Sequence, residues 1–383
     1  MVPRVVISRS NPVDPDPRVA KEAQSLVAAG YSVQIIGWDR TAQLATMEDR
    51  GGFLIHRLPI RADYARGMGN LPDLLRWQVG LAGWLVRHRG EFDLLHACDF
   101  DTVMPALWCK WLWGKTVVYD IFDFYADHLR ATPEWVKSLI RWLDLWLIRQ
   151  ADAVILADDS RREQIAGAAP RRLEVIYNTP QDIFNQVVPA TRPQGSALHL
   201  AYIGLLQVER GLLQMLDVLR QHPEWTLDLA GFGGDQERIL AAAAGLHNVA
   251  WHGRVPYERA LQLSAVADVL FATYDPAIPN HRYASPNKLF EAMMLGKPLI
   301  VCTDTNMDRM VHTADCGLVL PYGDLPALEA ALGRLASDAV FRQRLGENAR
   351  RAYEASYSWA RMEARLQAVY ASLCSLPAQG SAT

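Results

Sequence analysis

What most constrains this chain is a pattern that runs twice: short apolar runs of strand character, each followed by a longer stretch with helical spacing. In the first half "RVVISR", the loop "SNPVDPD", the helical "PRVAKEAQSLVAAG" and "YSVQIIG" make one βαβ unit, and "FDLLHA", "TVVYDI" and "ADAVILA" read as further strands. After "VIYNTPQDIFNQ" the pattern starts again with "LHLAYIG", "WTLDLAG", "NVAWHG", "ADVLFATY", "KPLIVC" and "CGLVLP". Strands alternating with helices predict an α/β fold, and two runs of the pattern predict two successive parallel sheets. The chain has 383 residues, half of them apolar, which is enough for two cores. With the linker at Tyr177 to Pro180, the expected domains are 1–178 and 179–355, followed by a terminal helix and tail at 356–383. One long helix from about Asp338 to Leu373 is expected to lie back across the first domain.

Charge and cysteine usage exclude several classes of protein. A formal charge of −3 with no basic run or acidic tail argues against nucleic acid as a partner. The five cysteines, Cys98, Cys109, Cys302, Cys316 and Cys374, are scattered and lack CxxC or Cys/His spacing, so neither a disulfide framework nor structural zinc is expected. The chain opens directly on "RVVISR" without a charged and then apolar leader, and no stretch approaches the ~20 apolar residues that span a bilayer. The expected location is cytoplasmic.

Open α/β sheets bind ligands at the carboxyl ends of their strands. In the second half, the first strand runs into Gly204 and then "LLQVERGLL", where Arg210 precedes Gly211 at a helix start. The second ends in "AGFGGDQERI", where Gly231, Gly233 and Gly234 either make a tight turn or let the backbone approach a phosphate. "RYASPNKLFEAMMLGKP" reads as a helix with Ser285 at the N-cap and Pro286 at its first position. Lys288 then stands in the first turn, where the helix dipole disfavours a cation, and Glu291 lies among apolar residues. An anion at the helix start accounts for the lysine. The glutamate, about 9 Å further along, can accept both hydroxyls of a ribose, so one helix could grip a nucleoside diphosphate. The plainer alternative is an i,i+3 surface pair.

The segment "SPNKLFEAMMLGKPLIV" resembles the signature region of glycosyltransferase family 4, retaining enzymes with the GT-B architecture of two Rossmann-like domains facing each other across a cleft. "NPVDPDPRVAKEAQSLVAAGYSVQIIGWDR", "YIGLLQVERGL", "AGFGGDQERI" and "VAWHGRVPYERALQLSAVADVLFAT" follow in the family's order, so the likeness spans nearly the whole chain. It implies that Glu291 binds the donor ribose, that Lys288 and Arg210 neutralise the diphosphate and act in catalysis, and that Gly204 and Gly231 line the donor site. It also implies that backbone from Ser285 through Pro286, Asn287 and Lys288 to Leu289 holds phosphate or sugar, and that Arg254 and Val255 face the base. On the acceptor side it implies the loop Asn11 to Arg18, with Asp16 and Arg18, and the segment "YDIFDFYADH", where Asp123 is either a polar contributor to catalysis or a loop-capping carboxylate. Three positions depart from the family: Tyr283 replaces an acidic residue, Phe122 a histidine and Leu205 an arginine.

What the resemblance implies is transfer of a sugar from a nucleotide diphosphate sugar to an acceptor hydroxyl with retained α configuration and no metal. The alternatives are a sugar-nucleotide epimerase or hydrolase of the same fold, and a non-catalytic nucleotide-sugar binder. "DFD" at Asp99 to Asp101 mimics a metal-binding DxD but reads as the end of a strand. A lipid-linked glycan acceptor at an anionic membrane surface is expected from the tryptophans, nine of twelve falling in the first 150 residues. Trp135, Leu139, Trp142 and Trp146 form one helical stripe beside Lys137 and Arg141, while Val136, Ile140, Leu143 and Leu147 form the face that packs inward. This would make the protein peripheral on the inner face of the cell membrane.

Overall fold

The computed structural model describes residues 2–62, 71–128 and 132–374. The chain divides into two units, one formed by Met1–Tyr177 with Met362–Thr383 and the other by Asn178–Arg361.

The first unit is built on β1 (Arg4–Arg9), β2 (Ser32–Asp39), β3 (Met47–Asp49), β4 (Phe53–Pro59), β5 (Leu94–Cys98), β6 (Thr116–Ile121), β7 (Ala153–Leu156) and β8 (Leu173–Val175). They lie in the order β3-β4-β2-β1-β5-β6-β7-β8. The inner strands β5 and β7 are buried along their whole length, as helices on both faces of a parallel sheet require. The sheet is not wholly parallel, because β3 pairs antiparallel with β4 at the edge. The helix Pro17–Ala28 begins where proline sets φ and the Asp16 carboxylate accepts from the Val19 amide.

The second unit contains β9 (Leu198–Leu205), β10 (Trp225–Phe232), β11 (Val249–Trp251), β12 (Val269–Ala272), β13 (Leu299–Cys302) and β14 (Gly317–Leu320), all parallel in the order β11-β10-β9-β12-β13-β14. β9 is central. The chain runs outward from β9 through β10 to β11, crosses back to β12 on the other side of β9 and runs outward again to β14, so the loops after β9 and β12 flank the point where strand order reverses, with that after β10 beside them.

The single terminal helix expected from the sequence is two helices. Ala339–Ala352 is capped by Asp338, whose carboxylate accepts from Phe341. A wider turn follows at Tyr353–Tyr357, Ser358 is extended, and Trp359–Cys374 starts anew. The run "ASYSW" is poor in strong helix formers, and the phenol of buried Tyr353 donates to the Pro180 carbonyl at 2.7 Å, which anchors the turn. In the first unit, the later part of the second helix packs through Tyr370, whose ring meets Tyr31 edge-on at 5.5 Å. Its hydroxyl lies 2.7 Å from His96 Nδ1.

Candidate active site

The second unit gathers its cations around β9. Strand geometry puts residues i and i+2 on one face, so Tyr202 and Gly204 look the same way. The Lys288 ammonium lies 3.4 Å from the centre of the Tyr202 ring, and a Cβ on Gly204 would stand 3.2 Å from its Nζ. Gly231, on the adjoining strand, leaves no room either: a Cβ there would fall 1.8 Å from the Gly204 carbonyl oxygen. These two glycines keep the niche open by having no side chain. The Lys288 Nζ is fully buried and has no hydrogen-bond partner. Burial, with Arg210 nearby, holds its pKa well below the ordinary lysine range, and Glu291 opposes the shift. Arg210 closes the other side, with its guanidinium 4.2 Å from the Tyr274 ring and its Nε donating to Gln207 at 3.0 Å.

The helix that carries Lys288 runs Asn287–Met294. Its N-cap is Pro286, not Ser285, and no side chain caps it. The reason is local: Pro286 is extended at ψ 150°, and the Leu289 amide donates to its carbonyl at 2.9 Å, so the first turn closes one residue later than the sequence suggests. First-turn amides of a helix have no intrahelical acceptor, and this end has no side-chain cap. Glu291, one turn on, accepts a hydrogen bond from the Tyr257 phenol, and burial together with that carboxylate raises the Tyr257 pKa. Arg254 is exposed, its guanidinium 4.6 Å from the Phe232 ring, with half-buried Val255 beside it. Tyr283 is half-buried at the end of the short helix Pro279–Arg282.

In the first unit the acceptor-side expectations separate. Asp16 caps its helix and accepts from Arg9 Nε at 3.0 Å and Asn11 Nδ2 at 2.8 Å. Arg18 is buried, its guanidinium 2.9 Å from Asp120 and 3.0 Å from Glu22 and donating to the Ile176 carbonyl. It belongs to the interior, because the helix begins at Pro17 and its turn points residue 18 inward. Asp123 is half-exposed and accepts from buried Arg161 at 2.7 Å. Its loop also carries Phe122, whose ring lies 4.2 Å from the Arg9 guanidinium and 4.4 Å from that of Arg18.

Sequence reading missed Tyr202, Tyr274 and Tyr257 in the second unit and Arg9 and Arg161 in the first, and took Asp99 only for the end of a strand. Only Tyr202 carried a signal, its two-residue spacing from Gly204. Asp99 accepts from the Phe122 amide at 2.9 Å and pairs with Arg9, and burial pushes its carboxyl up to about 6 against the pull of that arginine.

One group of side chains among the described residues has metal-ligand spacing, Glu22, His96 and Asp120. Arg18 already supplies a cation to both carboxylates there. Burial pushes Glu22 up to about 7 despite Arg18, whereas Arg18 and His96 hold Asp120 below its ordinary value against burial.

The tryptophan helices leave an apolar face uncovered within the first unit. On Glu134–Gln150, Trp135 is 71% and Trp142 63% exposed, with Leu139 and Trp146 exposed beside them, while Asp144, Leu147 and Ile148 point inward. On Phe100–Trp113, Trp108, Trp111, Leu112 and Trp113 are exposed, and the Trp111 and Trp146 rings are 5.8 Å apart. No described helix is long and apolar enough to cross a membrane.

Comparison with known proteins agrees with the geometry of both units. Residues 15–179 match the family model described as glycosyl transferase 4-like domain, and residues 197–338 match the one described as glycosyl transferases group 1. Alpha-D-kanosaminyltransferase of Streptomyces kanamyceticus is 21% identical, over 77% of this chain and 82% of its own. Phosphatidyl-myo-inositol mannosyltransferase of Mycobacterium leprae is 24% identical, over 75% of each. Among solved structures, sucrose-phosphate synthase from Thermosynechococcus elongatus superposes with a TM-score of 0.75 at 16% identity, covering 97% of this chain and 99% of that one. HepE of Anabaena, solved in complex with UDP and glucose, gives 0.68 at 15% identity, covering 97% and 100%. The family matches and the fold together define a glycosyltransferase of the GT-B class. Within that class the chain belongs to the family 4 type.

Proposed function

We propose that this glycosyltransferase moves a sugar from a nucleotide diphosphate donor to an acceptor hydroxyl with retained α configuration, and that it does so without a divalent metal. The observation that carries the proposal is the Lys288 ammonium, buried without a hydrogen-bond partner in the niche kept open by Gly204 and Gly231, with Arg210 beside it. A buried cation with no partner is costly unless an anion arrives to pair with it. A diphosphate fits that requirement, and the first-turn amides of Asn287 and Lys288 would add donors to the same group. As the glycosidic bond breaks, negative charge grows on the leaving phosphate oxygen. Lys288 and Arg210 would stabilise that charge where it develops, which is the role a metal otherwise takes. Glu291, oriented by Tyr257, has a carboxylate suited to ribose hydroxyls. The HepE complex with UDP and glucose supports a sugar nucleotide as donor.

For the acceptor we favour a lipid-linked glycan of cell-surface polysaccharide or glycoconjugate assembly, reached from an anionic membrane surface. The exposed tryptophan face and the lipid named for the mycobacterial mannosyltransferase support this.

Two measurements test the proposal. Transfer from a nucleotide sugar should persist in excess chelator, and loss of activity restored by magnesium or manganese would refute metal independence. The parent should sediment with vesicles containing anionic lipid in a salt-sensitive way, and replacing exposed Trp135 and Trp142 by alanine should abolish that binding. A protein that stays in the supernatant throughout would leave a soluble acceptor.

A further inference from the structure

Asp99 occupies a backbone conformation, φ 65° and ψ 169°, that is populated essentially only by glycine. Glycine at this position would carry no steric strain, so an aspartate there implies a task for its side chain. Its Oδ1 accepts from the amides of Phe122 at 2.9 Å and Asp123 at 3.4 Å, while Oδ2 accepts from the Arg9 guanidinium. The Asp99 amide donates to the Asp120 carbonyl at 2.8 Å, tying the turn after β5 to the end of β6. Arg9, at the end of β1, also pairs with Asp16 at 3.0 Å and covers the Phe122 ring. One carboxylate therefore joins the carboxyl ends of β1, β5 and β6, the edge at which an open α/β sheet binds its ligand. It does so by holding a loop rather than by facing solvent: the Asp99 side chain is 18% exposed, against 47% for Asp123.

We propose that Asp99 is a positioning residue for transfer: it fixes the Phe122–Asp123 loop so that the Asp123 carboxylate is set toward the acceptor. This rests on the acceptor-side role of the first unit given above. Asp99 touches no reacting group in this scheme and acts through Asp123, with Arg161 bracing the same carboxylate from the other side.

The test combines hydrogen exchange with kinetics on the full chain. In Asp99→Gly, which relieves the backbone and removes the carboxylate, amide exchange at Phe122 and Asp123 should quicken at least tenfold while the rest of the first unit exchanges at the parental rate. Binding of UDP as a nucleotide probe should stay within twofold of the parent. With UDP-glucose as donor and octyl glucoside as acceptor, kcat should fall about 100-fold in both Asp99→Gly and Asp123→Ala. Because the two residues act as one unit, adding Asp99→Gly to Asp123→Ala should lower kcat by less than threefold more. Unchanged exchange at the loop amides, or costs that multiply in the double variant, would overturn the proposal. If Asp99→Gly does not fold, Asp99→Asn carries the same readouts with a smaller rise in exchange, and parental exchange there also overturns it. A parent that is inert with these probes tells against UDP-glucose and octyl glucoside as its donor and acceptor, and the exchange measurement still decides the role of Asp99.

Discussion

Replacing Lys288 by methionine should make the protein more stable and a worse binder of nucleotide at once. Methionine is close to lysine in length and apolar, so it fills the space over Tyr202 without introducing a cavity. What it removes is a buried amine with no hydrogen-bond partner, a group whose desolvation costs about 1–3 kcal/mol. Part of that cost is already offset, because the ammonium sits 3.4 Å from the Tyr202 ring centre, a contact worth about 0.5–2 kcal/mol, and because Glu291 attracts it. Repulsion from Arg210 acts the other way. The balance leaves a gain of ~1 kcal/mol, or a rise in Tm of about 2–4 °C for a unit of this size. Binding moves oppositely. Losing a charged partner to a diphosphate costs about 1.5–3 kcal/mol, which weakens Kd by about 10- to 150-fold. Calorimetric titration of nucleoside diphosphates and scanning calorimetry on the same preparation measure both. The titration also reports protons: burial lowers the Lys288 pKa in the free protein and a bound anion raises it, so between those two values binding should take up protons and weaken as pH rises. A variant that is less stable yet binds as tightly as the parent would show that Lys288 supports the fold and leaves the phosphate alone.

Three further outcomes follow from particular contacts. Glu291→Ala should weaken nucleotide binding by about 1.5–3 kcal/mol, and Tyr257→Phe by about 0.5–1.5 kcal/mol, since the phenol orients the carboxylate without touching ligand; equal losses measured by titration would make Tyr257 a direct ligand. Gly231→Ala should destabilise by about 2–4 kcal/mol and lower Tm by roughly 5–15 °C, because its Cβ would stand 1.8 Å from the Gly204 carbonyl, and a parental melting curve would refute that packing. Burial pushes the Asp144 carboxyl up to about 7, above its ordinary value near 3.9, so the folded state retains a proton that the unfolded state releases and stability is lost as pH rises from about 4 through 7. Asp144→Asn keeps an acceptor for the Tyr119 hydroxyl and should gain on the parent by up to about 4 kcal/mol between pH 4 and pH 8, and a gap that is flat with pH in denaturant unfolding would refute the assignment.

The sequence announced its buried strands because a parallel sheet covered on both faces needs largely apolar runs, and β5, β6, β7, β9, β10, β12 and β13 lie in runs of that kind, whereas β11 and β14 are the less buried edges. It did not announce β3, three largely exposed residues, Met47, Glu48 and Asp49, whose pairing is specified by the neighbouring strand and not by their own composition. Boundaries were lost for a related reason. Ser285 and Ser358 are both residues whose local preference admits more than one conformation. The first yielded the cap to extended Pro286, and the second let the chain leave the helix after the turn anchored by Tyr353.

The sites divide along the same physical line. Lys288 and Glu291 stood out as candidates because a cation at a helix N-terminus and a carboxylate on its apolar face each conflict with local rules. The groups that tune them, Tyr202 under the ammonium and Tyr257 on the carboxylate, obey every local rule. They stand 86 and 34 positions away along the chain and become partners only through sheet topology. Asp16 and Arg18 show how fine the limit is. The loop they flank was placed correctly at a strand end, yet a helix turns by about 100° per residue, so two positions separate a carboxylate that caps the helix from a guanidinium buried against Asp120 and Glu22. A motif can bring a segment to the edge of a sheet, but which way each side chain then faces is decided by where the helix begins, and in this chain Pro17 decides it.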